Sequence, residues 1–198
     1  MSDVASVLFR EPEIQRRVRE LGQHLTRDYA GRSPVFISVL KGGFVFLADL
    51  IRAVDIPLRV DFMSISRYGS PDRASASGVV RVLKDLDQDI GGEDVVVVED
   101  IIDTGLTLSY LLTTLQAREP ASVEVVTLLD KSVRRIAPLD IKYVGFDCPD
   151  RFVVGYGLDV GERYRNLPFI VEVANQSLLQ DDPDALSSFL AGAAEGSG

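Results

Sequence analysis

Four consecutive valines, Val95 to Val98, followed at once by Glu99 and Asp100, constrain this chain more than any other stretch of it. A run that is apolar at every position has no outward face. It therefore reads as a strand covered on both sides, the condition of an inner strand of a parallel sheet with helices above and below. Val35 to Leu40 also reads as a buried-type strand and Val123 to Leu129 as a further strand, and helical segments separate them. Residues 11–30 place Ile14, Val18, Leu21 and Leu25 at three- and four-residue spacing, an amphipathic helix. Phe44 to Val54 and Leu106 to Ala117 read as helices as well. Further strands are expected over 59–64, 79–83, 143–146, 152–155 and 169–173. Alternation of strands and helices predicts an α/β fold with a mainly parallel central sheet flanked by helices. The additions near 59–83 and after 143 are expected to be antiparallel.

With 198 residues the chain has room for one domain, expected over 1–180. The stretch 66–78 is polar and rich in Ser and Gly, the composition of a flexible loop. After Gln180 the sequence turns acidic and then rich in Ala, Gly and Ser, so 181–198 is expected to be a disordered tail. There are 21 Lys and Arg against 30 Asp and Glu, a formal charge of −9. That surplus opposes nucleic acid and anionic membranes as partners, since both are polyanions. One cysteine, Cys148, and one histidine, His24, allow neither an internal disulfide nor an ordinary Cys/His zinc site. His24 lies beside the apolar stripe of the first helix and reads as a surface residue. The first residues lack a basic segment followed by an apolar run, and no stretch of 18 apolar residues occurs. A cytoplasmic location is expected.

In open α/β sheets ligands bind outside the carboxyl ends of the strands. The valine strand delivers Glu99 and Asp100 to its exit, and Asp103-Thr104-Gly105-Leu106-Thr107 follows at a helix start. Backbone N–H groups and hydroxyls there make an anion site suited to a phosphate monoester. The carboxylates of Glu99, Asp100 and Asp103 would repel a free phosphate. The combination makes sense if amides address a phosphate while carboxylates address hydroxyls and a metal, and a sugar phosphate supplies both partners. A simple helix cap at Asp103 or Thr104 would not call for the acidic pair ahead of it. Competing motifs are weaker. No Gly-x4-Gly-Lys-Ser/Thr phosphate loop occurs, and the run Gly155 to Gly161 is one residue too long for a dinucleotide fingerprint. A single Asp-Thr-Gly that opens a helix does not fit an aspartic protease, which pairs two copies.

The run Glu99 to Thr107 resembles the phosphoribosyl pyrophosphate (PRPP) motif of type I phosphoribosyltransferases. Three further segments resemble the hypoxanthine-guanine branch of that family: Leu40-Lys41-Gly42-Gly43; Leu129-Asp130-Lys131; and Tyr143 to Asp159, closing with Tyr164-Arg165-Asn166-Leu167. The likeness runs from about residue 10 to 173, in order. It implies the fold of that family, with a small hood and a lid at 66–78. It also implies transfer of the phosphoribosyl group from PRPP to hypoxanthine or guanine, giving IMP or GMP and pyrophosphate, with Mg²⁺ as cofactor. Glu99 and Asp100 would serve the ribose hydroxyls, directly or through Mg²⁺. Residues Asp103, Thr104, Gly105, Leu106 and Thr107 would cradle the 5′-phosphate, and Asp103 would be the catalytic base at purine N7. Lys41, Gly42 and Arg165 would contact pyrophosphate, and Asp159 a second Mg²⁺ near it. Lys131 would donate to the 6-oxo group, Phe152 would stack on the base, and the Val153 backbone would read its edge. Lys131 disfavours adenine, whose amino group cannot accept that bond. The family's cis peptide would fall between Lys41 and Gly42, and its oligomers are dimers or tetramers.

The departing diphosphate leaves an oxocarbenium-like centre that water would destroy, so closure of a lid carrying Arg67 and Tyr68 is expected. The sequence departs from the family at several of these positions. Arg67 stands where Ser is usual, Leu106 where animal enzymes carry Lys, Asn166 where Asp is common, and Val160-Gly161 where the pair is bulkier. These changes leave purine preference open, including a xanthine- or guanine-preferring enzyme. A PRPP-sensing regulator of the same fold that binds nucleic acid would need a basic face, which the acidic composition does not supply.

Overall fold

The computed structural model describes residues 5–68, 79–174 and 186. In chain order the elements are β1 (Ala5–Phe9), α1 (Glu11–Asp28), β2 (Val35–Leu40), α2 (Phe44–Ala53), β3 (Arg59–Tyr68), β4 (Val79–Lys84), β5 (Asp94–Ile102), α3 (Leu106–Gln116) and β6 (Ser122–Asp130). A 3-10 turn (Ser132–Arg134), β7 (Tyr143–Asp147), β8 (Phe152–Val154) and β9 (Ile170–Val173) follow.

The larger sheet has the order β4-β3-β2-β5-β6-β7. Every pairing from β3 to β7 is parallel, and only β4 runs antiparallel, on the edge beside β3. The four valines lie in β5, are fully buried, and pair with β2 on one side and β6 on the other. That is the environment their composition demands. Two apolar clusters, one on each face, complete the burial. One joins Val96 and Val98 to α1 and α2, and the other joins Val95 and Val97 to Leu108, Leu111 and Leu115 of α3. In α1 the stripe Ile14, Val18, Leu21 and Leu25 is buried and His24 is exposed. The helix starts with Pro12 in its first turn, and the Glu13 carboxylate accepts the Arg10 N–H at 2.9 Å.

The second sheet, β1-β9-β8, is antiparallel, and the fold as a whole differs from the sequence expectation in two ways. Strand β1 was not foreseen, because its partner β9 lies more than 160 residues away and only that pairing makes Ser6 to Phe9 a strand. Strands β3 and β7, both expected among the antiparallel additions, instead lie in the main sheet parallel to β2 and β6, and of the 59–83 additions only β4 runs antiparallel. Val154, Val171 and Val173 form the small sheet's core together with Leu186. Apart from Leu186, the tail expected over 181–198 lies outside the described residues. The same holds for the lid at 66–78, except that the backbone of 66–68 continues β3.

Candidate active site

Strand β2 lies between β3 and β5, so the connections leaving β2 and β5 run to opposite sides and open a crevice at their carboxyl ends. Both exits carry candidate residues. After β5, Asp103 and Thr104 lead to Gly105, whose φ of +79° caps α3 in the left-handed region. Glycine is required twice over at this position, since a Cβ would sit 2.7 Å from Leu139 Cδ1 and 2.9 Å from Arg135 Cδ. The first turn of α3 has no acidic residue, and the Leu106 N–H at its start donates to Thr104 Oγ1 at 3.5 Å. A pocket of about 320 Å³ is lined there by Glu99, Asp103, Thr104, Gly105 and Thr107, with Val39 and Ile65 opposite.

Glu99 and Asp100 are held at the floor of the crevice. Asp100 Oδ1 accepts the Ile101 N–H at 2.7 Å, and a Cβ on Gly42 would overlap the Asp100 carboxylate. Glycine at 42 is what lets the β2 exit close over this acid. Burial pushes the Asp100 carboxyl up to about 6, with the charge of Asp159 adding to the rise, while backbone N–H groups and Arg165 oppose it. Burial, and then the charge of Asp100, raises Glu99 well above the usual carboxylate range. Two oxygen-rich acids short of compensating charge fit a hard divalent cation. Among the described residues no set of three or more acidic, His or Cys side chains is gathered to hold one. A pair of carboxylates is compatible with Mg²⁺, which is commonly held by one or two carboxylates with the remaining ligands from water and substrate phosphates.

At the β2 exit the peptide between Leu40 and Lys41 is cis, one bond earlier than the expected Lys41–Gly42. Lys41 Nζ lies 2.9 Å from Glu162 Oε2. Arg165 is bound on three sides. Nη2 is 2.8 Å from Asp159 Oδ1 and 3.4 Å from Glu162 Oε2, and Nη1 donates to the Gly157 carbonyl at 2.8 Å. Lys41, Gly42, Asp159 and Arg165, widely separated in sequence, thus form one wall. The hydrogen bond from Lys41 holds the Glu162 carboxyl below its ordinary range.

On the other side Lys131 is buried, and its Nζ donates to the Arg151 carbonyl at 2.6 Å, directly ahead of Phe152 and Val153 in β8. Lys131 is anchored to the β5 exit as well, its N–H bonding Ile102 O at 2.9 Å. Asp103 has neighbours that sequence reasoning missed. Arg134 Nε lies 3.3 Å from Asp103 Oδ1, an oxygen that is shut off from water and has no aligned hydrogen-bond donor. Arg135 donates to the Asp103 carbonyl at 3.3 Å and pairs with Asp130. The adjacent arginines after Lys131 were a signal, since two cations in a row beside a predicted strand exit are costly unless acids face them. Leu106 is partly exposed at the start of α3. Arg67 and Tyr68 lie at the end of β3, and the loop beyond them is outside the described residues.

The sequence matches the family model for the phosphoribosyl transferase domain over residues 5–160. The chain belongs to the phosphoribosyl transferase family. Within that family it is 51% identical over 168 residues to a hypoxanthine-guanine phosphoribosyltransferase of Bacillus subtilis (strain 168), covering 85% of this chain and 92% of that one. It is also 51% identical to a hypoxanthine-guanine phosphoribosyltransferase of Mycobacterium avium, covering 85% of each. A crystal structure of a hypoxanthine-guanine phosphoribosyltransferase from Bacillus anthracis, with a HEPES molecule in its active site, superposes with a TM-score of 0.82 at 47% identity. It covers 86% of this chain and 99% of that one. Phosphoribosyl transferase membership agrees with a parallel sheet whose acidic strand exit faces a helix N-terminus. No helix among the described residues is long and apolar enough to cross a membrane.

Proposed function

We propose that this chain transfers the 5-phosphoribosyl group of PRPP to N9 of hypoxanthine or guanine in purine salvage, releasing pyrophosphate. The observation that supports it best is the pocket lined by Glu99, Asp103, Thr104, Gly105 and Thr107 at the N-terminus of α3, with Gly42 of the β2 exit set directly against the Asp100 carboxylate. Relatives half identical over most of their length carry this activity in their names.

In this reading the amides and hydroxyls of Thr104, Gly105, Leu106 and Thr107 take the 5′-phosphate, and Glu99 and Asp100 take the ribose hydroxyls. Lys41, the Gly42 backbone and Arg165 receive the diphosphate. The purine lies between Lys131, Phe152 and the Val153 backbone, with the ammonium on its 6-oxo oxygen. The C1′–O bond to diphosphate breaks with its electron pair on the leaving group while N9 bonds to C1′, and Asp103 accepts the N7 proton. Mg²⁺, held by Glu99 and Asp100 with Asp159 near the diphosphate, would neutralise the substrate's charge. Arg67 and Tyr68 belong to a lid that excludes water. The active form is a homo-oligomer, a dimer or tetramer, of a single domain spanning 1–180, and it works in the cytoplasm.

Turnover of PRPP and hypoxanthine with Mg²⁺ to IMP and pyrophosphate tests the reading directly. A competition among hypoxanthine, guanine, xanthine and adenine assigns the base. Predominant use of xanthine would replace hypoxanthine and guanine as the preferred bases, and absence of any transfer would overturn the enzyme itself.

A further inference from the structure

One oxygen of Glu162 bridges the two cations of the diphosphate wall, 2.9 Å from Lys41 Nζ and 3.4 Å from Arg165 Nη2. A tight turn fixes where this side chain starts. Val160 and Arg163 exchange backbone hydrogen bonds of 3.3 and 3.1 Å, and the Glu162 N–H donates to Asp159 Oδ2 at 2.9 Å. Arg165 is held independently by Asp159 and by the Gly157 carbonyl, so it needs no help from Glu162 to stay in place. Lys41 and Glu162 are 64% and 63% exposed, so an anion arriving from solvent reaches their contact without disturbing the core. A carboxylate that gathers two cations from an exposed position occupies the place of a stronger anion.

We infer that Glu162 is a placeholder anion, whose carboxylate sits between Lys41 and Arg165 where a diphosphate binds and competes with it for both. This rests on the proposed function, specifically on Lys41 and Arg165 as the diphosphate contacts. A diphosphate displaces the carboxylate because it brings more charge and several oxygens to the same cations. When it leaves, Glu162 closes the wall again and speeds release. The device acts on the diphosphate end of the substrate and leaves the base site alone.

Calorimetric titration of the full chain with inorganic pyrophosphate and Mg²⁺ at low ionic strength tests this, with melting curves confirming that each variant is folded. Glu162→Gln removes two exposed ionic contacts from the competing state, so the pyrophosphate Kd is expected to fall about three- to tenfold. Glu162→Asp keeps the charge but is too short to span both cations from the fixed turn, and a similar fall is expected. A fall in the Gln variant with none in the Asp variant would mean that the charge acts only through its field, and the placeholder would be overturned. Weaker binding in both variants would overturn it too, making Glu162 a support for the cations. Lys41→Ala separates the underlying reading. If wild type binds pyrophosphate and this variant binds it equally well, Lys41 is no diphosphate contact and the inference falls with that reading.

Discussion

Asp103 is the residue on which the proposed chemistry turns, and its setting is unusual for a surface acid. One carboxylate oxygen is closed off from water without an aligned donor, while Arg134 stands 3.3 Å away. The side chain as a whole is 45% exposed, so its other oxygen is the one open to a proton from a ligand in the crevice. Asp103→Asn preserves shape and removes the acceptor, so kcat is expected to drop by about 10²–10⁴, with the PRPP KM changed far less. Steady-state kinetics decide, and an unchanged kcat would remove Asp103 from its role. Lys131 makes a separate prediction. Its buried ammonium already serves the Arg151 carbonyl, so Lys131→Ala deletes a charged donor and leaves a carbonyl unpaired. The hypoxanthine KM is expected to rise by about tenfold or more, the equivalent of about 1.5–3 kcal/mol for a lost charged hydrogen bond, while the PRPP KM holds. The residues legible from their own chemistry, as distinct from those implied by the family resemblance, share one property. Glu99 to Thr107 is contiguous, so its chemistry could be read as a string. Arg134 and Glu162 gain meaning only from acids and cations brought to them from other loops, and a linear reading has no access to that.

At the scale of elements, legibility followed burial on two faces. Strand β5 announces itself because an uninterrupted apolar run has few other solutions, β2 and β6 because short, mainly apolar runs rich in Val sit between helical segments, and α1 because its stripe is long. Strands β1 and β7 were missed or misjudged because what defines them is a partner, across more than 160 residues for β1 and a parallel neighbour for β7. The β5–α3 junction is the element on which the site depends most. Gly105→Ala forces a side chain into the left-handed region and against Leu139 and Arg135. A loss of about 1–3 kcal/mol in unfolding free energy is expected from denaturant midpoints. The PRPP KM should rise as well, because the same bend aims the first amides of α3. A variant with wild-type stability and KM would show that the bend does not depend on glycine.

Over the whole molecule the surplus of acid, a formal −9, is unevenly placed, and its most consequential part is the Glu99–Asp100 pair under the crevice. Because Asp100 titrates near 6 in the folded protein and near 3.8 when unfolded, the native state holds the extra proton between those values. The native state binds more protons there, so this group's contribution to stability falls as pH rises through that window, and above it the ionised pair burdens the fold. Glu99 acts in the same direction. Carboxylates with lowered values, such as Asp28 beside Tyr143 and Lys142, act oppositely and lose stability as pH falls, so the total melting curve mixes both. A difference between variants isolates the crevice. Asp100→Asn is expected to melt above wild type at pH 7.5, and this advantage is expected to shrink toward pH 4.5, where Asp100 is mostly protonated. A divalent cation binds the ionised form and offsets the same burden. Mg²⁺ should therefore raise the wild-type Tm more at pH 7.5 than at pH 5, and should raise that of Asp100→Asn little at either. Equal Mg²⁺ increments at the two pH values, or an undiminished increment in Asp100→Asn, would place the cation elsewhere and return the acidic pair to a role with ribose hydroxyls alone.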